Sequence, residues 1–279
     1  MRNIVLALSL ALPTALSGES AFQVKVTGHG QPMILIPGLA SSGETWDSTV
    51  ARYKDRYECH VFTLAGFAGV PRIPAPMLET VREQLATYIR DKKLVKPVIV
   101  GHSLGGFLTL DLASKYPDLP GKLVIVDAYP SLAALFRPDV TAAQAKSESE
   151  MTRKYMTSQP AGSPNASVRM MVTSDADFER ISAWGRASDH SAVIDAMVEM
   201  YGSDLRENIS TILSPTLVLA TWIGYKDYTD RKTIESNVRR EYTKLDGVDL
   251  RIADTARHFI MYDDPQWFFT QLDGFLSSK

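Results

Sequence analysis

The chain has 279 residues, of which 45% are hydrophobic and 22% are charged, a composition typical of globular proteins that excludes a disordered or fibrous chain. Its 30 basic and 32 acidic side chains leave a net charge of −2 and form no basic run, so no nucleic-acid partner is expected. The only cysteine, Cys59, excludes an intrachain disulfide and a cysteine-rich metal site.

The N-terminus has the pattern of a secretory signal peptide. A short basic start containing Arg2 precedes an apolar run over residues 4–12, and small residues follow as far as Ser17. The run is too short to span a bilayer, so no membrane anchor is expected. We therefore predict cleavage after Ser17 and a secreted or periplasmic mature protein.

After this leader, short apolar runs alternate with amphipathic stretches. Runs without polar alternation are typical of strands buried on both faces of a parallel sheet. The predicted strands are residues 22–26, 33–36, 60–64, 97–100, 123–126, 216–219 and 248–252, and the predicted helices are residues 77–93, 103–116, 231–245 and 265–276. Such alternation predicts the α/β class, with a doubly wound, mostly parallel sheet.

Residues 130–209 interrupt the alternation. They show no clear strand, and their helical pieces are rich in Met, Ser and Ala and are separated by Pro and Gly. This pattern predicts a helical cap inserted into the core. The predicted organisation is a signal peptide at 1–17, a core formed by 18–129 and 210–279, and a cap at 130–209.

The most informative motif is Gly-His-Ser-Leu-Gly-Gly at residues 101–106. It follows a predicted buried strand and opens a predicted helix, which is the context in which Gly-x-Ser-x-Gly forms a nucleophile elbow. The sharp turn exposes the Ser103 hydroxyl at the sheet edge, and the helix N-terminus favours developing negative charge. We predict that Ser103 is a nucleophile and that the backbone N–H of Leu104 is one oxyanion donor.

With this elbow, the chain resembles an α/β-hydrolase that carries a cap. The resemblance covers nearly everything after the leader: Gly28-x-Gly30-x-Pro32, Pro37-Gly38-Leu39, the elbow, and Arg257-His258-Phe259. It implies that Leu39 supplies the second oxyanion N–H. It also implies that His258, which follows the last strand, is the general base, although Arg257 replaces the glycine usual before this His.

The acid that orients the base has two candidates. Family members mostly place it after the strand that follows the insertion, where Gly224-Tyr225-Lys226-Asp227 fits the usual spelling, but the segment before it is three residues longer than usual. Others place it at the end of the preceding strand, where Asp127 stands. We prefer Asp127 because a strand end is a rigid support. Asp227 remains the alternative.

Aromatic residues near the expected site suit an apolar substrate. Trp222 and Tyr225 follow a late strand, Trp184 lies in the cap, and each is a candidate substrate contact. A serine at position 103 excludes the family chemistries that use a nucleophilic Asp. No metal-ligand spacing, phosphate-binding loop or dinucleotide fingerprint occurs, so no metal and no cofactor are expected.

The sequence predicts a serine hydrolase that cleaves a small or medium apolar carboxylic ester through an acyl-enzyme. Hydrolysis of a C–C bond, lactone or amide by the same triad is one alternative. A non-catalytic α/β-hydrolase-like binding protein is another. The expected partner is a small-molecule ester, and the sequence leaves its identity and the oligomeric state open.

Overall fold

The computed structural model describes residues 19–135, 137–160 and 166–278. The predicted signal peptide lies outside these residues. Within them, no helix combines the length and the apolar character that a membrane crossing requires.

The described residues form a sheet of seven strands in the order β1-β3-β2-β4-β5-β6-β7. The first strand runs antiparallel to β3, and all the other pairs are parallel. The strands are β1 (Phe22–Gly28), β2 (Gln31–Ile36), β3 (Tyr57–Leu64), β4 (Val98–His102), β5 (Lys122–Val126), β6 (Thr216–Thr221) and β7 (Asp249–Ala253). The carboxyl ends of the parallel strands therefore share one edge of the sheet.

Both faces of the sheet are covered. In β2, Ile34 and Ile36 pack into one apolar cluster, whereas Met33 and Leu35 pack into a second cluster on the opposite face. Successive strand residues point to opposite faces, so a strand buried on both sides must be apolar throughout. This is why the central strands read as continuous apolar runs.

The helices lie on both sides of the sheet and in the insertion between β5 and β6. Those of the core are α1 (Asp47–Tyr53), α2 (Met77–Asp91), α3 (Leu104–Lys115), α8 (Arg231–Glu241), α9 (Ile260–Asp263) and α10 (Pro265–Ser277). Those of the insertion are α4 (Ala142–Ser158), α5 (Ala166–Met171), α6 (Asp175–Ala187) and α7 (His190–Tyr201). The predicted fold class, a doubly wound sheet with a helical cap insertion, is confirmed.

The later cap helices are fastened to the backbone of the core by hydrogen bonds. Between the α6–α7 turn and the loop after β3, Asp189 N donates to Gly66 O at 2.7 Å, and Gly69 N donates to Ala187 O at 2.9 Å. The Glu199 carboxylate of α7 accepts hydrogen bonds at 2.8 Å from the backbone N–H groups of Met77 and Leu78, which are the first two residues of α2. A carboxylate at a helix N-terminus satisfies N–H groups that have no partner inside the helix.

Candidate active site

Ser103 occupies the sharp turn between β4 and α3. Its backbone lies at φ 52° and ψ −119°, a conformation that non-glycine residues rarely adopt. Two hydrogen bonds hold the turn: Ser103 N donates to Val126 O of β5 at 2.9 Å, and Phe107 N donates to Ser103 O at 2.9 Å. The strand ladder and the first helical turn thus meet at the serine, and strain of this kind is common at functional sites.

The elbow glycines allow backbone to approach closely. A Cβ on Gly101 would lie 2.2 Å from Gly105 O, and a Cβ on Gly105 would lie 2.3 Å from Ile36 O and 2.6 Å from Pro37 O. These distances are far below van der Waals contact. The motif therefore lets α3 pack directly on β4 and on the end of β2.

The loop after β2 borders the serine. A Cβ on Gly38 would lie 3.2 Å from the Ser103 Cβ, so the loop backbone that leads to Leu39 passes beside the nucleophile position. Leu104 is the first residue of α3, where the backbone N–H has no acceptor within its own helix. Both predicted oxyanion donors therefore belong to segments that meet at Ser103.

His258 lies in the loop between β7 and α9, with its side chain 22% exposed. Its Nδ1 is 2.6 Å from Asp127 Oδ2. With the proton on Nδ1, the imidazole donates to the carboxylate and keeps Nε2 as an acceptor. This is the tautomer that a general base for a serine hydroxyl requires.

His102 contacts His258. The two imidazole centroids are 4.5 Å apart, and His102 Nε2 is 3.1 Å from the His258 carbonyl oxygen. Complete burial lowers the pKa of His102 well below its ordinary value, and the neighbouring His258 adds to this effect. A neutral His102 that donates from Nε2 supports the base from the core side.

Asp127 follows the last residue of β5, is 2% exposed and has φ 44°. Besides the contact with His258, its Oδ1 accepts hydrogen bonds from the Tyr129 hydroxyl at 2.8 Å and from Thr221 N at 3.2 Å. Its own N–H donates to Leu219 O of β6 at 2.7 Å. The carboxylate is thus buried, hydrogen-bonded on both oxygens and directed at the base.

Asp227 lies elsewhere. It is exposed, in the turn that follows the short 3₁₀ helix Ile223–Tyr225. The hydrogen-bond partner of His258 Nδ1 is the Asp127 carboxylate. Of the two carboxylates considered from the sequence, the structure brings Asp127 to the base.

The three predicted substrate contacts have different surroundings. Trp222 is half-buried, and its indole N–H donates to Asp254 at 3.1 Å. Tyr225 is half-buried against the core; burial raises the pKa of its hydroxyl, and the charge of Asp127 raises it further. Trp184 is 7% exposed and donates to Glu44 at 3.3 Å, so it packs the cap on the core and leaves little surface for a substrate.

Some contributing residues were not found from the sequence. Tyr129 and Thr221 orient the carboxylate of Asp127. Tyr129 is only two positions from Asp127, whereas Thr221 is 94 positions away, and the sequence offers no signal for a contact over that distance. Within 19–135, 137–160 and 166–278, no group of three His, Cys, Asp or Glu side chains is arranged to hold a metal ion.

Comparison with known proteins places this geometry in context. The sequence model of the Alpha/beta hydrolase family matches residues 33–271. A pimeloyl-[acyl-carrier protein] methyl ester esterase of Vibrio cholerae is 25% identical over 254 residues, covering 88% of each chain.

Solved structures share the fold at lower identity. An esterase from Exiguobacterium antarcticum superposes with a TM-score of 0.77 at 15% identity, covering 92% of this chain and 96% of its own. The enol-lactonase from Burkholderia xenovorans superposes with a TM-score of 0.76 at 14% identity, with the same coverage. The match over most of the chain, together with the shared fold, shows that this protein belongs to the alpha/beta hydrolase family.

Proposed function

We propose that the protein is a serine hydrolase that cleaves small or medium apolar carboxylic esters through an acyl-enzyme. The observation that carries the proposal is the 2.6 Å contact between His258 Nδ1 and the buried Asp127 carboxylate, next to a strained serine elbow. A serine is a weak nucleophile until an oriented base accepts its proton. These three groups are the parts that such activation needs.

In the proposed reaction, the Ser103 Oγ attacks the ester carbonyl carbon while its proton passes to His258 Nε2. The oxyanion of the tetrahedral intermediate accepts hydrogen bonds from the backbone N–H groups of Leu104 and Leu39. Collapse expels the alcohol, which takes the proton from His258. Water activated by His258 then attacks the acyl-enzyme, releasing the carboxylic acid and restoring Ser103.

Two observations support an ester with an apolar group. The Vibrio cholerae relative is named as a methyl ester esterase, and it aligns over 88% of this chain. Tyr225 is half-buried, and the negative charge of Asp127 helps to raise the pKa of its hydroxyl, which places this aromatic side chain near the acid. Trp222, three residues earlier, is also half-buried. Flat aromatic side chains of this kind are typical linings of pockets for apolar ligands.

A short-chain nitrophenyl ester tests the proposal. We expect a burst of nitrophenol in the wild type that a serine-directed organophosphate abolishes. We expect Ser103→Ala to fold normally and to lose the burst, with kcat reduced by about 10⁴ or more. Ser114→Ala, at the far end of α3, is the matched control and should keep wild-type kcat.

Two results would contradict the proposal. Wild-type protein without a burst and without covalent labelling would favour a non-catalytic binding protein. If the protein hydrolysed only a lactone, an amide or a C–C bond, the proposed triad would stand, but the proposed ester substrate would be wrong.

A further inference from the structure

Arg257, the residue that replaces the usual glycine before the base, reaches across to the cap. Its Nη1 donates to Arg169 O at 2.7 Å and to Val172 O at 2.8 Å. These two carbonyls lie in the last turn of α5 and just after it. Carbonyls at the end of a helix have no partner within the helix and carry the negative end of its dipole, so a guanidinium is a well-matched group there.

A second set of contacts joins the same two segments. We call residues 169–173 the cap edge. Met171 O accepts from Phe259 N at 3.1 Å. Asp263, the last residue of α9, accepts from Thr173 N at 2.9 Å and from Thr173 Oγ1 at 2.7 Å, and its other oxygen accepts from Arg257 N at 2.9 Å.

The base is therefore held from two sides. From the core, His102 Nε2 contacts the His258 carbonyl oxygen. From the cap, the residues immediately before and after His258 both donate to the cap edge. Because α5 has only six residues, its own helical bonds are too few to maintain it, and its position depends on such tertiary contacts.

We propose that Arg257 is a positioning residue that holds His258 against Asp127 by fastening the loop of the base to the cap edge. The base is then aligned only while the cap edge is docked. This inference rests on the proposed function, because it assigns a role in that same site. It makes the cap a support of the catalytic machinery.

Arg257→Ala tests the proposal. We expect kcat for a small nitrophenyl ester, and the rate of organophosphate labelling of Ser103, to fall about 10–100-fold with KM little changed, because a displacement of the base near 1 Å has an effect of that size. We expect Arg257→Lys to recover most of the loss, because both carbonyl bonds come from a single nitrogen, which an ammonium replaces.

Arg206→Ala is the matched control. Arg206 also donates to two backbone carbonyls, those of Pro138 at 2.9 Å and Val140 at 2.7 Å, but these contacts do not involve the loop of the base. We expect Arg206→Ala to lower Tm while kcat stays within about twofold of the wild type, because the substitution destabilises the fold but leaves His258 in place. Assays are run well below the Tm of each variant.

The outcomes are distinguishable. Wild-type kcat in Arg257→Ala, or an equal loss in Arg206→Ala, would overturn the positioning role. If Arg257→Ala does not fold, Arg257→Met replaces it, because Met keeps an aliphatic stem and removes the two bonds to the cap edge, and wild-type kcat in that variant would equally overturn the role. A wild-type protein that the organophosphate does not label would instead refute the proposed function.

Discussion

Ser103 and Asp127 share an uncommon backbone conformation. Their φ angles are 52° and 44°, and each directly follows one of the two adjacent parallel strands β4 and β5. Positive φ costs non-glycine residues on the order of 1–3 kcal/mol and persists where the surroundings enforce it. Here the ladder bonds to Val126 O and Leu219 O enforce it. The two turns bring a hydroxyl and a carboxylate to the same sheet edge.

The two acid candidates are distinguished by substitution with Asn. Asp127→Asn keeps the shape but offers an N–H where His258 needs an acceptor, so we expect kcat to fall about 10⁴-fold. Asp227→Asn is the matched control, and because the side chain is exposed we expect a change within about twofold. Steady-state kinetics with a nitrophenyl ester measure both. A severe loss in Asp227→Asn together with a mild one in Asp127→Asn would reverse the assignment.

At the scale of elements, the junction of β4 with α3 depends on close backbone contact. We expect Gly105→Ala to lower kcat about 10–100-fold, because its Cβ would displace the end of β2, from which the oxyanion loop starts. Overpacking of this kind also costs about 1–3 kcal/mol of stability.

Gly274→Ala is the control for that substitution. Gly274 lies inside α10, and a Cβ there meets no atom within 4 Å. We expect unchanged kcat and a stability gain of about 0.5–1 kcal/mol, since alanine favours the helix. Kinetics and thermal unfolding measure both variants. Wild-type kcat in Gly105→Ala would contradict the prediction, because it would show that the added Cβ leaves the oxyanion loop in place.

At the scale of the whole molecule, the cap is fastened to the core at separate places. Glu199 caps α2, the α6–α7 turn bonds to the loop after β3, and the cap edge bonds to the loop of the base. Hinge motion requires a boundary that few contacts cross. The described contacts therefore favour a cap whose second half moves with the core.

We also propose that the protein is exported, on the basis of its leader sequence. Protein secreted by its native host is expected to lack residues 1–17, because a basic start, a short apolar run and small residues are what signal peptidase requires. Intact-mass measurement on the exported protein decides this. A mass that includes Met1 to Ser17, or retention of all the protein in the cytoplasm, would refute export.

The sequence by itself determined the fold class, the strand positions and the location of the elbow. These features have local signatures: continuous apolar runs indicate strands buried on both faces, and a glycine-flanked serine between strand and helix indicates a tight turn. The strands observed at Val98–His102 and Lys122–Val126 lie within one or two residues of their predicted limits.

Only the tertiary structure decided which carboxylate meets His258. Asp127 and His258 are 131 positions apart, and their contact depends on β5, β6 and β7 lying side by side in the sheet, while the turn that carries Asp227 leaves its carboxylate exposed. The same holds for the bond from Thr221 N to Asp127 and for the Arg257 contacts with the cap edge. Contacts between distant residues are set by how elements pack, and neither hydrophobic periodicity nor motif spacing records that packing.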